Sequence, residues 1–457
     1  MAFSEQSSDA RRGLSGGDAK ALCDRILGLA KADDTCVRVQ SGVRGFTRTA
    51  MNRVTTAGTT DDIAVRVTST FGKRTASVNT NRLDAVSLQK VVRDAETLAR
   101  LSPEDPEYIP APGPQIYPDV NGYYPSTGEL TTEDRAQSAA LVLARAEAAG
   151  TVAAGFIDMF AGSEALANSK GLFAYHASTG VASTLTVRTK DGSSSGWAGA
   201  EGADWNTIES ERIAEDALRK CETWRGKTAL GPGRYQVVLE PAAAGMLLMR
   251  MMASFDARAA EEGRSFLSRR GGGTLVGEKI FDGQVTIASD PAVVNGEVAP
   301  FTAEGLPVQK EVWVEKGVVK NLSYSRFWAE SKRVPAKAPM SNFVMSGGDA
   351  SLDDLIGSVA YGVLITRFWY IRSLNPRTLT QTGLTRDGTF LIENGRISRP
   401  VTNFRFNQSI VELLRNVEML GRPVRVCAGE NSSAGTPVIV PALKVRDFNL
   451  ASVSDAV

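Results

Sequence analysis

Helical spacing of apolar residues recurs along this chain. Residues 84–101 place Val86, Val91 and Leu98 where they can share one face of a helix. The same spacing predicts four further helices, at residues 19–31, 131–149, 208–223 and 409–420. Each of these helices has one apolar face, so we expect each to pack against another part of a folded core.

The best-defined helix is predicted over residues 241–262. Pro241 suits the first position of a helix, and Gly263 is typical of the residue that follows a helix end. From Met246 to Met252 the segment is apolar nearly all round, so we expect this half of the helix to be buried.

Strand patterns fill most of the remaining chain. Residues 389–401 read as a hairpin around Asn394 and Gly395, a pair that tolerates the positive φ angles of a tight turn. Residues 311–322 likewise read as two short strands around a turn at 315–317. Other strands are predicted at 35–40, 45–55, 63–69, 74–80, 152–160, 172–176, 183–189, 234–240 and 437–445. Strands and helices mix without regular β-α-β alternation, which predicts an α+β fold with antiparallel or mixed sheets and packed helices.

The length of 457 residues and the turn composition predict two domains. The first domain is expected over residues 1–230 and contains a proline-rich arm at 102–118, where six prolines exclude a helix or a central strand. The second domain is expected over 231–457 and begins at a Gly-Pro-Gly turn.

The charge balance disfavours one class of function. Lysine and arginine number 52 against 51 acidic residues, so the net charge of +1 argues against nucleic-acid binding. No apolar run is long enough for a membrane span, and the first 18 residues lack the apolar core of a secretory signal. The four cysteines form no CxxC pair, and His176 is the only histidine. We therefore expect a cytoplasmic protein with reduced thiols and without a structural zinc module.

Several sequence blocks resemble the TldD/PmbA family of metallopeptidases. They are residues 61–100, the segment AEGLPVQKEVWVEKGVVKNLSYSRFWAESK at 303–332, PMSNFVMSGGDASLDDLI at 339–356 and FLIENGRISRPV at 390–401. Their order and spacing match the family over most of the chain. The resemblance implies the TldD/PmbA fold in both predicted domains.

The resemblance also implies where a metal site would lie. Active TldD-type members carry H-E-x-x-x-H on the central helix, with two histidine ligands to zinc, a glutamate that activates water and a cysteine ligand near the C-terminus. In this chain Met249 and Ser254 fall at the histidine positions, Arg250 falls at the glutamate position, and Cys427 resembles the cysteine. Thioether, hydroxyl and guanidinium groups do not replace these ligands. We expect no metal and no catalytic residue in this degenerate motif.

Because it lacks the motif, the chain resembles the TldE-like branch of the family, which has the same fold and pairs with a TldD-like catalytic subunit. The resemblance implies a dimer whose partner holds zinc and hydrolyses unfolded peptides, while this chain needs no cofactor. Arg250 is then either an ion-pair partner or a candidate contact for a substrate carboxylate. Two alternatives stay open: a self-sufficient hydrolase that uses another site such as Cys427, and a protein-binding module outside proteolysis. Whether the chain is itself an enzyme is left open.

Overall fold

The computed structural model describes residues 12–429 and 436–454, and its first sheet is built from long antiparallel strands. This N-terminal sheet has the order β3-β2-β1-β4-β5-β6. Its strands are β1 (Asp34–Ala50), β2 (Arg53–Phe71), β3 (Arg74–Thr80), β4 (Val152–Asn168), β5 (Phe173–Arg188) and β6 (Ser195–Gly202).

Strand β1 corrects one sequence prediction. The pattern predicted separate strands at 35–40 and 45–55, but β1 is continuous through Gly42. Gly42 pairs with Gly162 on β4, and a Cβ atom at position 42 would lie 2.4 Å from the carbonyl oxygen of Ala161. The glycine therefore permits close approach of two strands and does not mark a turn.

Helices cover the N-terminal sheet through two apolar clusters. The helices are α1 (Gly16–Leu27), α2 (Ala85–Leu101), α3 (Pro125–Gly128), α4 (Thr132–Ala148) and α5 (Ser210–Thr223), with a 3-10 turn at Trp205–Thr207. The first cluster joins α1 and α2 to β1 and β2 around Cys23, Val39 and Leu88. The second joins α4 and α5 to β4, β5 and β6 around Leu143 and Ala217.

The rest of the described chain forms two further sheets and a second group of helices. Its strands are β7 (Gly233–Leu239), β8 (Ile287–Ser289), β9 (Glu311–Glu315), β10 (Val318–Val319), β11 (Phe343–Met345), β12 (Tyr361–Ile365), β13 (Phe368–Asn375), β14 (Thr380–Thr385), β15 (Thr389–Glu393), β16 (Arg396–Pro400), β17 (Asn403–Ser409), β18 (Val417–Leu420), β19 (Val424–Val426), β20 (Val438–Val440) and β21 (Leu443–Ser454). Its helices are α6 (Pro241–Leu248), α7 (Ala257–Glu261), α8 (Arg326–Lys332), α9 (Leu352–Gly357) and α10 (Ile410–Arg415).

The larger of these sheets has nine strands, in the order β13-β14-β17-β21-β7-β12-β15-β16 with β18 beside β21. The smaller has the order β10-β9-β8-β11-β20-β19. Strand β7 runs parallel to β12, and β11 runs parallel to β20, whereas the other pairs are antiparallel. The prediction of an α+β fold with mixed sheets is confirmed. Among the described residues, no helix is both long and apolar enough to cross a membrane.

Two predicted helices are shorter than expected. The helix predicted over 241–262 stops at Leu248, continues as a 3-10 segment (Met249–Phe255) and resumes as α7. The helix predicted over 409–420 stops at Arg415, because Val417–Leu420 forms β18 against β21. In both cases a contact with a distant segment overrides the local helical pattern.

The proline-rich arm at 102–118 contains no helix or strand. Asp34 on β1 accepts hydrogen bonds from the Tyr108 hydroxyl at 3.1 Å and from the backbone N–H of Ala111 at 2.6 Å. Glu107 of the arm forms a bidentate ion pair with Arg258, which lies on α7 in the second half of the chain, at 2.8 Å for each bond. The arm thus joins the N-terminal sheet to α7, while the domain division at residue 230 stays a prediction of the sequence.

Candidate functional site

The helix that would carry a zinc motif breaks at the motif itself. Met249, Arg250 and Ser254 all lie on the 3-10 segment that follows α6. Phe255 ends this segment by accepting the backbone N–H of Ser323 at 2.7 Å, so its carbonyl is not available for a continuing helix. Helix α7 then starts anew after Asp256, whose side chain caps it.

The three motif positions have different surroundings. Met249 is half-buried and packs against the large apolar core. Arg250 is exposed. Ser254 is half-buried, and its carbonyl accepts a hydrogen bond from the Ser265 hydroxyl at 2.9 Å. The assignment of these residues to the motif positions stays a prediction of the sequence.

Ser254 also lines an open cleft of about 500 Å³ beside the 3-10 segment. Arg264 and Arg377 lie on its wall, whereas Arg250 does not. Arg264 is paired with Glu262, and Arg377 is exposed. The cleft therefore offers cationic and hydroxyl groups, which can bind a carboxylate. Its lining residues include no His, Asp, Glu or Lys that could act as a base to activate a serine hydroxyl.

Cys427 lies directly after β19 and is completely enclosed by protein. Glu201 on β6 lies beside its thiol. Burial raises the pKa of this thiol far above its ordinary value, and the negative charge of Glu201 raises the pKa further, while Arg367 opposes the shift. A protonated thiol is not a strong nucleophile.

Cys427 belongs to a buried ionic cluster between β6 and the second half of the chain, which we call the seam cluster. Its members are Glu201, Glu297, Arg367, Asp387, Arg425 and Cys427. Arg425 contacts Glu297 at 2.5 Å and Glu201 at 3.8 Å. Burial raises the pKa of Glu201 to about 7 against the pull of Arg425, and burial also raises the pKa of Glu297.

The second part of the seam cluster is a buried ion pair. Arg367 contacts the Asp387 carboxylate at 2.9 Å, and the Ser195 hydroxyl on β6 donates a 2.7 Å hydrogen bond to the same carboxylate. The guanidinium of Arg367 lies 4.3 Å from the ring centre of Trp197 and 5.0 Å from that of Trp369. Burial lowers the pKa of Arg367 and Asp387 opposes the shift. These contacts fasten β6 to the second half of the chain.

His176 lies apart from α6, on β5. Its Nε2 atom is 2.7 Å from the carbonyl oxygen of Gly296. Burial lowers its pKa, despite opposing effects of the Gly296 carbonyl and Glu164, so the imidazole is neutral near pH 7. With one hydrogen bond of its ring already committed to the backbone, His176 is a structural residue here.

The residues present do not fit the zinc ion that the sequence resemblance implies for active members. Within residues 12–429 and 436–454, no three side chains of His, Cys, Asp or Glu converge to hold a metal ion. The cation Arg367 lies near Cys427, and the only histidine, His176, is bonded to the Gly296 carbonyl. A catalytic zinc usually has three protein ligands, which these residues do not supply.

The seam cluster was not predicted from the sequence. Glu201, Glu297, Arg367, Asp387 and Arg425 come from five separate parts of the chain and belong to no local motif. Cys427 was singled out by resemblance alone, and nothing in its sequence neighbourhood indicated a carboxylic acid as its partner.

Comparison with models of known protein families shows to which family the chain belongs. A family model of the PmbA/TldA metallopeptidase C-terminal domain matches residues 232–452, and a model of the PmbA/TldA central domain matches residues 128–222. The chain belongs to the TldD/PmbA family. Together these models cover well over half of the sequence, in agreement with the resemblance found in its motifs.

Curated relatives and solved structures resemble this TldD/PmbA-family chain. A metalloprotease from Methanothermobacter thermautotrophicus is 28% identical over 324 residues, which are 64% of this chain and 68% of that protein. A metalloprotease from Archaeoglobus fulgidus is 28% identical over 229 residues, 46% of this chain and 51% of that protein. The structure of TldE from Thermococcus kodakarensis has a TM-score of 0.82 at 18% identity and covers 94% of this chain and 99% of its own.

A second structure, of a proposed modulator of DNA gyrase from Thermotoga maritima, has a TM-score of 0.81 at 17% identity over 94% of this chain and 99% of its own. At these identities the structural likeness establishes the shared fold. The curated metalloproteases are matched over only part of their length, so their activity is not transferred to this chain by similarity alone.

Proposed function

We propose that this chain is the non-catalytic, TldE-like subunit of a TldD-type peptidase that hydrolyses unfolded peptides. The observation that carries the proposal is the single histidine, His176, on β5 and bonded to Gly296. A catalytic zinc usually has three protein ligands and an open position for water. This chain offers no such set among its described residues, so the zinc and the water-activating base would come from a TldD-like partner.

The state of Cys427 supports a non-catalytic role. A cysteine nucleophile needs a lowered pKa and a nearby base, usually an imidazole. Burial and Glu201 instead raise the pKa of Cys427. A self-sufficient hydrolase that uses Cys427 is therefore not favoured.

In the proposed complex this chain would complete the chamber in which the partner cleaves peptides. Arg250 is exposed just beyond α6, where a cation could contact a peptide carboxylate or an acidic group of the partner. The cytoplasm is the proposed location, because the four free cysteines would stay reduced there.

The decisive experiment compares the chain alone with the chain co-expressed with a TldD-like protein from the same genome. Zinc per chain and cleavage of an unfolded peptide are measured for each preparation. We expect zinc and activity only in a co-purifying pair. Zinc-dependent cleavage by the chain alone would refute the proposal.

Two variants test the roles of Cys427 and Arg250 separately. Within the pair, Cys427→Ala should cleave peptide as fast as Cys221→Ala, which removes another buried thiol. Arg250→Ala should raise the KM for peptide, whereas Arg219→Ala, an exposed arginine on α5, should not. Loss of activity in Cys427→Ala alone would point to the thiol as a nucleophile and would contradict the proposal.

A further inference from the structure

We propose that a pocket on the N-terminal sheet binds an organic ammonium group, of the kind carried by a lysine side chain or by the amino terminus of a peptide. The pocket holds about 560 Å³ and lies between the sheet and the segment at residues 297–299. The inference does not rest on the proposed function, because it concerns binding by this chain alone.

The pocket lies on the face of the sheet opposite α1 and α2. Val39 on β1 packs against these helices, so the side chain of its neighbour Gln40 points away from them and lines the pocket. Glu164 lies directly opposite Gln40 on β4, and His176 lies opposite Glu164 on β5. These three side chains therefore form one row along a wall of the pocket.

The floor of the pocket is a gap in the side chains of the sheet. Gly42 on β1 lies directly opposite Gly162 on β4. A Cβ atom at position 42 would lie 2.4 Å from the Ala161 carbonyl oxygen, and one at position 162 would lie 2.3 Å from that of Ser41. The close approach of the two strands thus requires both glycines, and it leaves the floor bare.

The pocket lining contains two buried acceptor atoms without a hydrogen-bond partner. His176 is 6% exposed, and its Nε2 atom must carry the ring proton, because the Gly296 carbonyl can only accept. The neutral ring therefore presents Nδ1 as an acceptor, to which no described residue donates. The Glu297 side chain is 9% exposed; its Oε2 atom pairs with Arg425 at 2.5 Å, whereas Oε1 has no partner among the described residues. Buried acceptors of this kind indicate a ligand that donates hydrogen bonds.

The charges of the lining select a cation among such ligands. Asp62, Glu164 and Glu297 supply three carboxylates, and Arg44 is the only cation among the described lining residues. Arg44 donates two hydrogen bonds to Asp158, at 3.1 and 2.9 Å, which neutralises its charge. Glu164 and Glu297 are each paired with an arginine outside the lining. Asp62 has no ion pair with a described residue and accepts only the backbone N–H of the next residue, so its negative charge remains for a ligand.

An organic ammonium fits this arrangement better than a metal ion does. In the described part of the chain, no three side chains of His, Cys, Asp or Glu converge at the spacing that a metal requires. An ammonium has three N–H donors, which can reach acceptors that lie farther apart. Phe160, which is 39% exposed, and Ala64 line the same pocket. They offer apolar surface to the carbon chain that bears the ammonium, and the ring of Phe160 also attracts a cation.

Isothermal titration calorimetry of the purified full chain with n-butylammonium tests the proposal. We expect saturable binding of one ion per chain. We expect n-butanol, which has the same carbon chain without the charge, to bind at least about tenfold more weakly. Glycylglycinamide carries the ammonium of a peptide amino terminus, whereas n-butylammonium has the shape of a lysine side chain. Whichever of the two binds more tightly identifies the source of the ammonium, and either order supports the proposal.

Charge reversal at Asp62 has a matched control in the adjacent residue. D62K places a cation at the pocket and should raise the dissociation constant of n-butylammonium by about tenfold or more. D61K makes the same change of charge on the other face of the sheet and should alter the constant by less than about twofold. Both positions are exposed, so neither variant should unfold the chain. The proposal is overturned if n-butylammonium does not bind saturably, if n-butanol binds as tightly, or if D62K and D61K weaken binding equally.

Discussion

Removing the charge of Arg367 should cost about 3 kcal/mol of unfolding free energy. Its side chain is 6% exposed and that of Asp387 is 1% exposed, with 2.9 Å between the paired atoms. Arg367→Met keeps the length of the side chain but leaves the Asp387 carboxylate without its buried cation. Truncating one partner of a buried pair typically costs about 3–5 kcal/mol, because the other charge stays desolvated.

Two local contacts set the expected value within that range. The Ser195 hydroxyl still donates its 2.7 Å hydrogen bond to Asp387 in the variant, which lowers the cost. The contact of the guanidinium with Trp197 at 4.3 Å is lost, which adds roughly 0.5–2 kcal/mol. These effects offset each other in part, and a loss of about 3 kcal/mol remains the expected result.

Urea-induced unfolding, followed by circular dichroism, measures this loss against a matched control. Arg219 and Asp216 also lie 2.9 Å apart, but their side chains are 62% and 40% exposed. Arg219→Met should therefore change the unfolding free energy by less than about 1 kcal/mol. Equal losses in the two variants would refute the reasoning that burial, and not the ion-pair distance, determines the contribution.

Two other predictions concern Glu201 and the proline-rich arm. Because burial raises the Glu201 pKa from about 4.5 to about 7, the folded protein holds a proton that the unfolded chain releases, so stability should fall by about 3 kcal/mol as pH rises through this window. Glu201→Gln should remove this loss in pH-dependent urea unfolding, and identical pH profiles for variant and wild type would contradict the assignment. Asp34→Ala removes the acceptor for Tyr108 and Ala111, so limited proteolysis should cut residues 102–118 faster than in wild type, and an unchanged rate would show that other contacts hold the arm.

Sequence reasoning succeeded where a structure depends on neighbouring residues. The hairpin turn at Asn394 and Gly395 has φ angles of 51° and 75°, as the sequence pair requires. This prediction is confirmed, because the interactions that produce the turn lie within a few residues.

The predictions that failed concern structure that depends on contacts between residues far apart in the sequence. The 3-10 segment ends where Phe255 meets Ser323, and α10 ends where Val417 pairs with Val445 on β21. Neither partner can be identified from the helical pattern itself. The same limit applies to the candidate site: its motif positions could be named by resemblance, but the acid beside Cys427 comes from a strand in the other half of the chain.

The single histidine makes this molecule convenient for spectroscopy. His176 contributes the only imidazole signals in a proton–carbon NMR spectrum, so their assignment needs no mutagenesis. The ring is bonded to the Gly296 carbonyl, and burial keeps its pKa below the ordinary value, so these signals should not titrate near pH 7. Any displacement of the segment around Gly296 from β5 would change their chemical shifts. The chain thus carries a native reporter of the contact between its two halves, without an introduced label.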